Sequence, residues 1–386
     1  MTEITDYYDT ETFARIKAVA DRYETPFLLM DTATVLQSLK SLRQNFPCAK
    51  IYYSMKANPA KEIITLLRDQ DCCFDTASVY ELDRLLSLGI DPARIGCGNT
   101  IKKRKDIARY YEQGVRLFVS DAEADLRNIA ELAPGSKVAV RILAEGNQTS
   151  DWPLSRKFGC QTDMAMDLLV LSRELGLEPY GVSFHVGSQQ RDIGAWDAAI
   201  DKVRVIFKRL RSENSIHLKM INLGGGFPAN YVARTHDLPT YAREITRFLQ
   251  EDFGDEMPEI ILEPGRSLVA NAGVLVCEVV LVSRKSSTAL NRWVYTDVGK
   301  FSGLIETMDE AIKYPLYCER TGPGEEVILA GPTCDSVDIL YEKYRYTLPG
   351  DLRIGDRLYW FSAGAYTSSY SSVEFNGFPP LASYYI

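Results

Sequence analysis

Short, almost continuously apolar runs alternate with stretches of helical period through the first two thirds of the chain. The runs are IYYSMK (51–56), CCFDTAS (72–78), RIGCGNT (94–100), RLFVSD (116–121), VAVRI (138–142), YGVSFHVG (180–187), MINLGGG (220–226) and IILEPG (260–265). Between them lie amphipathic segments such as AKEIITLLRDQ (60–70), DLLVLSRELG (167–176) and AWDAAIDKVRVIFKRL (195–210). Eight strands with seven intervening helices predict an α/β fold, a (β/α)8 TIM barrel. Parallel strands covered on both faces need no polar alternation, which explains why the runs are apolar throughout. From residue 271 the texture changes to GVLVCEVVLVSRK, RWVYTDVG, EEVILAG and DRLYWFSAGAY, β-rich and without helical period. The pattern predicts a barrel over 33–270 and an all-β domain over 271–386. The N-terminal segment 1–32, which contains the strand-like YETPFLLMD (23–31), is expected to join that β domain.

Composition narrows the function classes. The 386 residues carry a formal net charge of -8, and Lys and Arg are nowhere concentrated. Nucleic-acid and anionic-membrane partners are therefore not expected. IKKRKD (101–106) reads as a solvated helix start. The N-terminus is acidic without a basic region leading into an apolar core, and no apolar run reaches bilayer length. Eight cysteines without a CxxC suit a reducing, cytoplasmic location. The three histidines, at 185, 217 and 236, are too scattered for a metal site, and no metal is expected.

Catalytic groups in such barrels come from the C-terminal ends of the strands. Lys56 ends the first run. An amine there is either a side chain snorkelling into water or a partly desolvated nucleophile able to form a Schiff base. The second run carries Asp75 with Ser78, Arg141 ends the fifth, and the sixth carries His185 and, at its end, Ser188. Gly224, Gly225 and Gly226 end the seventh, and Glu263 and Arg266 the eighth. Each has a structural alternative. Asp75 suits a helix N-cap, His185 a satisfied core position, the glycines tight packing, and EPGR a plain turn with an ion pair. Together they suggest more. Three glycines let backbone amides close on a phosphate, Glu263 could keep a pyridine nitrogen protonated, and Arg266 could meet the phosphate. A Schiff-base lysine, a phosphate cradle, a carboxylate for a ring nitrogen and a histidine to stack on the ring describe a site for pyridoxal 5′-phosphate (PLP).

The ordered set YYSMKANP, FDTAS, KFG, FHVGSQ, GGGFP, EPGR, GPTCDSVD and GAYT…FNGF resembles the fold-type III, alanine-racemase-like PLP-dependent decarboxylases, specifically the ornithine/lysine/arginine group, from about residue 26 onward. The resemblance implies that Lys56 bonds the cofactor and that Asp75 and Glu81 lie near that bond. It further implies that Asp75 places Arg141 and that His185 stacks on the ring. Ser188, Gly224, Gly225, Gly226, Arg266 and Tyr366 would hold the phosphate, and Glu263 would pair with the pyridine nitrogen. Cys334 and Asp335 would reach in from the other subunit of a homodimer, Cys334 to protonate the substrate carbon and Asp335 to bind its distal amine.

A basic amino-acid substrate needs a second acid. Spacing after YTDVG favours Asp309 in ETMDEA, with Glu306 and Glu310 close by. The resemblance implies decarboxylation of L-ornithine to putrescine, and one methylene of difference leaves L-lysine to cadaverine open. A lysine-preferring enzyme and a catalytically inactive, antizyme-inhibitor-like regulator are the alternatives. The absence of large insertions disfavours the arginine enzymes. The acidic CDSVD loop disfavours diaminopimelate, and GPTCDS disfavours carboxynorspermidine decarboxylases and racemases.

Overall fold

The computed structural model describes residues 3–144, 149–153, 157–373 and 375–386. The chain divides into two compact units. One comprises Leu39–Pro228 and His236–Gly265, and the other Met1–Ser38, Ala229–Thr235 and Arg266–Ile386.

In the first unit eight parallel strands close a barrel in sequence order: Ala49–Ser54, Cys73–Thr76, Ile95–Cys97, Leu117–Ser120, Lys137–Arg141, Glu178–Ser183, Met220–Asn222 and Glu259–Leu262. The eighth pairs with the first, Leu262 opposite Ile51. Among the described residues seven α-helices lie between successive barrel strands, as the alternation predicts. Tyr52, Val119, Ala139, Tyr180, Met220 and Ile261 form a core inside the barrel. Helix Lys61–Arg68 buries Ile63, Ile64 and Leu67, one stripe of its surface. Helix Val79–Ser87 starts at Ser78, whose Oγ accepts the Glu81 N–H at 3.3 Å.

The strands stop short of the apolar runs. The first ends at Ser54, and Met55–Ala57 form a 3-10 turn. There the Ser54 N–H donates to the Pro264 carbonyl at 3.1 Å. The Tyr53 hydroxyl donates to the Asn58 carbonyl at 2.9 Å, and Asn58 Oδ1 accepts the Ala60 N–H at 3.2 Å. Lys56 thus sits on a turn at the rim. The sixth and seventh strands end at Ser183 and Asn222, leaving His185 and the glycines in connecting backbone. Ser188–Gln190 pairs antiparallel with Ser150–Trp152, a small sheet that lacks apolar alternation and so gave no strand signal.

The second unit is built on an eight-stranded sheet, mostly antiparallel. Its long strand Gly273–Arg284 pairs with Arg292–Thr296 and Arg357–Trp360. The early strand Phe27–Met30 joins this sheet, antiparallel to Gly273–Val276 and parallel to Ala382–Tyr385. The YETPFLLMD run contributes its strand Phe27–Met30 to that sheet. Phe13, Phe27, Val274, Val276, Tyr359 and Phe361 share its core. No helix among the described residues is long and apolar enough to cross a membrane.

Candidate active site

In the barrel unit, Lys56 is exposed, and its charge acts on Asp75, Glu81 and His185. Asp75 is 8 % exposed, and Ser54 Oγ donates to its Oδ2 at 3.3 Å. Burial, then the neighbouring charge of Glu263, pushes the Asp75 carboxyl well above its ordinary range, with Lys56 and Ser54 opposing. Gly98 makes room for this carboxylate, since a Cβ there would lie 2.0 Å from Asp75 Oδ1. Burial also raises Glu81, whose Oε2 accepts the Ala77 N–H at 2.6 Å and so helps to cap its own helix. Arg141 is partly buried with its guanidinium 5.1 Å from the Phe158 ring centroid. Burial pushes its pKa down, against the charges of Glu263, Asp75 and Asp121. Among the described residues no hydrogen bond or ion pair joins Arg141 to Asp75.

His185 accepts the Gly187 N–H at Nδ1, 3.0 Å away, so its neutral ring carries the proton on Nε2. Burial, then the charges of Arg141 and Lys56, holds its pKa well below the usual value. Gly225 lies against this ring. A Cβ on Gly225 would come within 3.3 Å of His185 Nε2 and 2.7 Å of the Glu263 carbonyl oxygen. Gly224 has φ +65° and Gly226 φ +101°, and a Cβ on Gly224 would lie 2.2 Å from the Phe184 carbonyl oxygen. The glycines are therefore required by the barrel's own backbone. They also leave donors. The Gly224 N–H goes to Asn222 Oδ1 at 2.8 Å, whereas no acceptor among the described residues takes the N–H of Gly225 or Gly226. Gly225 is buried, and unpaired amides in a buried turn fit an anion such as a phosphate. Ser188, partly buried, opens the short strand that follows. Glu263, also partly buried, accepts from Asn222 Nδ2 at 2.5 Å.

In the sheet unit, Arg266 lies in a different setting. Its guanidinium makes a two-pronged pair with Glu306 at 2.7 and 2.6 Å, both side chains 2 % exposed, and donates to Tyr231 Oη at 2.8 Å. It also lies 4.9 Å from the ring centroid of Tyr366, a residue with φ +57°. Burial works against the charge of Arg266, but Glu306 and the tyrosines outweigh it and lift its pKa well above the ordinary value.

The acids of ETMDEA separate cleanly. Glu306 is committed to Arg266. The Glu310 carboxylate accepts the N–H groups of Glu342, Lys343 and Tyr344 at 2.6–2.7 Å. Asp309 is exposed and accepts no hydrogen bond among the described residues, although its charge acts on the buried Lys300. Asp309 and Glu310 both have positive φ, +53° and +57°, a backbone conformation uncommon outside glycine.

Cys334 is exposed, and its N–H and Sγ face Asn376 Oδ1 at 3.2 and 3.5 Å. Asp335 is exposed and caps the Val337 N–H at 2.8 Å. The loop is organised around Asp338. Its carboxylate accepts the N–H of Lys300 at 2.8 Å and of Thr333 at 3.1 Å, and the Thr333 hydroxyl at 2.7 Å.

With this geometry in hand, comparison with known proteins decides the family. Residues 32–270 match the family model described as pyridoxal-dependent decarboxylase, pyridoxal binding domain. The chain belongs to the pyridoxal-dependent decarboxylases. Its cofactor is PLP, and its fold is the one shared by the lysine, ornithine and arginine enzymes of the group. It is 32% identical to the lysine/ornithine decarboxylase of Selenomonas ruminantium over 94% of this chain and 90% of that protein. It is 30% identical to antizyme inhibitor 2 of Xenopus laevis over 93% of this chain and 79% of the relative. The crystal structure of lysine/ornithine decarboxylase complexed with cadaverine from Vibrio vulnificus superposes with a TM-score of 0.88 at 26% identity, covering 98% of this chain and 99% of that one.

The barrel residues are chemically suited to the cofactor: the Gly225 and Gly226 amides, unpaired among the described residues, suit an anion, Glu263 is a carboxylate oriented by Asn222, and Lys56 offers an amine at the rim. Three residues escaped the sequence reading. Asn222 holds Glu263, Gly98 accommodates Asp75, and Asp338 shapes the Cys334 loop. Asn222 stands two positions before the glycines. Its amide Oδ1 at the entry of a glycine turn was the available signal, but its bond to Glu263 spans 41 residues and left no local trace.

Proposed function

We propose that this decarboxylase converts L-ornithine to putrescine and CO2 for polyamine synthesis and accepts L-lysine as a second substrate. It would work in the cytoplasm as a homodimer in which each subunit lends Cys334 and Asp335 to its partner. The observation that carries the substrate assignment is the free carboxylate of Asp309 beside two acids already committed elsewhere. A distal ammonium needs an acid without a competing partner, and Asp309 meets that requirement. The cadaverine in the Vibrio vulnificus enzyme supports a substrate with such an ammonium.

In this reading Lys56 bonds the cofactor, which when bound supplies an electron sink for the bond to the departing carboxylate. Glu263, oriented by Asn222, favours the protonated ring nitrogen. The neutral His185 packs on the ring without adding charge. Gly225, Gly226 and Ser188 bind the phosphate, as do Arg266 and Tyr366. The charge on Lys56 acts on Asp75 and Glu81, which face the bond it makes. Asp309, with the partner's Asp335, fixes the distal end, and Cys334 delivers the proton to Cα.

Competition in an equal mixture of L-ornithine and L-lysine tests the assignment. Putrescine should accumulate faster than cadaverine. The reverse order would make the enzyme lysine-preferring, and the absence of both amines would favour the regulator reading that antizyme inhibitor 2 represents.

A further inference from the structure

The buried pair of Arg266 and Glu306 is unusual for a cation assigned to a phosphate. A guanidinium that waits for an anion is ordinarily left exposed, because an uncompensated buried charge is strongly destabilising. Here the side chain is 2 % exposed and already saturated by a two-pronged carboxylate of equal burial, with Tyr231 fixing the same nitrogen. We propose that Glu306 is a resident counter-ion: it compensates Arg266 while the cofactor is absent and opposes the cofactor's phosphate once it is bound. This role rests on the reading that Arg266 meets that phosphate.

Charge balance sets the direction of the effect. Two anions of like sign flanking one guanidinium repel each other at low dielectric, so the Glu306 charge weakens phosphate binding. Removing that charge should therefore tighten binding, even as it destabilises the protein without cofactor. The coupling is reciprocal, so phosphate should restore more stability to the variant than to the parent. The arrangement keeps the empty protein folded and the cofactor exchangeable.

The test uses full-length protein stripped of cofactor and probed with pyridoxine 5′-phosphate, which lacks the aldehyde and so reports non-covalent binding without the Schiff base. Glu306→Gln should melt below the parent when empty, bind the probe about five-fold or more tightly, and gain more in melting temperature from saturating inorganic phosphate. An unchanged or weaker Kd for the probe would overturn the proposal, since a merely structural Glu306 would lower the melting temperature without tightening the ligand. Should the variant survive only when loaded, the rate of PLP loss on dilution reads the same coupling, and it must be slower than in the parent. The variant R266M/E306L, which removes both buried charges, tests the underlying assignment separately. If its Kd for the probe equals that of Glu306→Gln, Arg266 does not meet the phosphate. If it binds more weakly while Glu306→Gln is unchanged, the assignment stands and the counter-ion role falls.

Discussion

Asn222 reaches across from the seventh barrel strand to hold the carboxylate of Glu263 at 2.5 Å, while its own oxygen accepts the Gly224 N–H at 2.8 Å. One side chain thus ties the Glu263 carboxylate to the start of the glycine turn. Asn222→Ala removes a hydrogen bond to a charged group, worth about 1.5–3 kcal/mol. The expected result is a fall of roughly 10–100-fold in kcat/KM for the preferred substrate, with the fold kept and the melting temperature lowered by the lost bonds. Steady-state kinetics alongside a melting curve check this, and kcat/KM within two-fold of the parent would remove Asn222 from the machinery.

Gly224 has a conformational and a steric reason to be glycine. Its φ is +65°, and any Cβ it carried would lie 2.2 Å from the Phe184 carbonyl oxygen. Gly224→Ala should cost about 2–5 kcal/mol of stability, strain plus overpacking. Gly176→Ala is the control: φ is +77°, but nothing lies within 4 Å of its Cβ position, so only about 1 kcal/mol of strain is expected. Denaturant titration of both variants gives the comparison, and equal losses would refute the close-approach argument.

The pH dependence of stability carries the signature of His185. Its folded pKa is held below the ordinary value of 6.5, so below pH 6.5 the unfolded chain binds more protons at this site. The contribution is full above that pH and is lost as pH falls below it. Asp75 acts in the opposite sense. Its folded pKa is raised, so it favours the folded state below its ordinary value of 3.8 and loses that advantage as pH rises toward the folded pKa. In cofactor-free protein, His185→Asn should therefore flatten the rise of stability with pH on the acid side of 6.5. Unfolding at a series of pH values measures the difference, and parallel curves for parent and variant would contradict it.

At the acidic turn, the carboxylates of Asp309 and Glu310 should respond differently to neutralisation. Asp309→Asn is expected to raise KM for L-ornithine roughly 10–100-fold, the loss of one charged contact. Glu310→Gln, which weakens the staple to residues 342–344, should reduce stability with a smaller effect on KM. Similar KM changes in both variants would mean that Asp309 has no private role.

Much of this was legible in the sequence because the fold writes its period locally. Eight apolar runs and seven helical stretches recur as barrel strands and helices, and the late change of texture marks the sheet unit. Asp75 lies in the second strand, and Lys56 and His185 stand two residues past the ends of the first and sixth. What the pattern did not reveal depends on distant partners. Strand ends are set by bonds such as Ser54 to Pro264, and the commitment of Glu306 to Arg266 spans 40 residues. A run of apolar residues tells where a strand lies and carries no information about which acid, 40 positions away, will meet which base. For that reason ETMDEA offered three candidate acids in sequence, and only the folded unit separated them.

Above all, Lys56 and the barrel rim should form the site of a working amino-acid decarboxylase. Release of CO2 from L-ornithine, L-lysine, L-arginine and meso-diaminopimelate by PLP-loaded protein, with Lys56→Ala as the blank, decides this. Release is expected from L-ornithine, more slowly from L-lysine, and from no substrate with Lys56→Ala. Release that persists in Lys56→Ala, or none from any of the four by a parent protein that retains PLP, would contradict it.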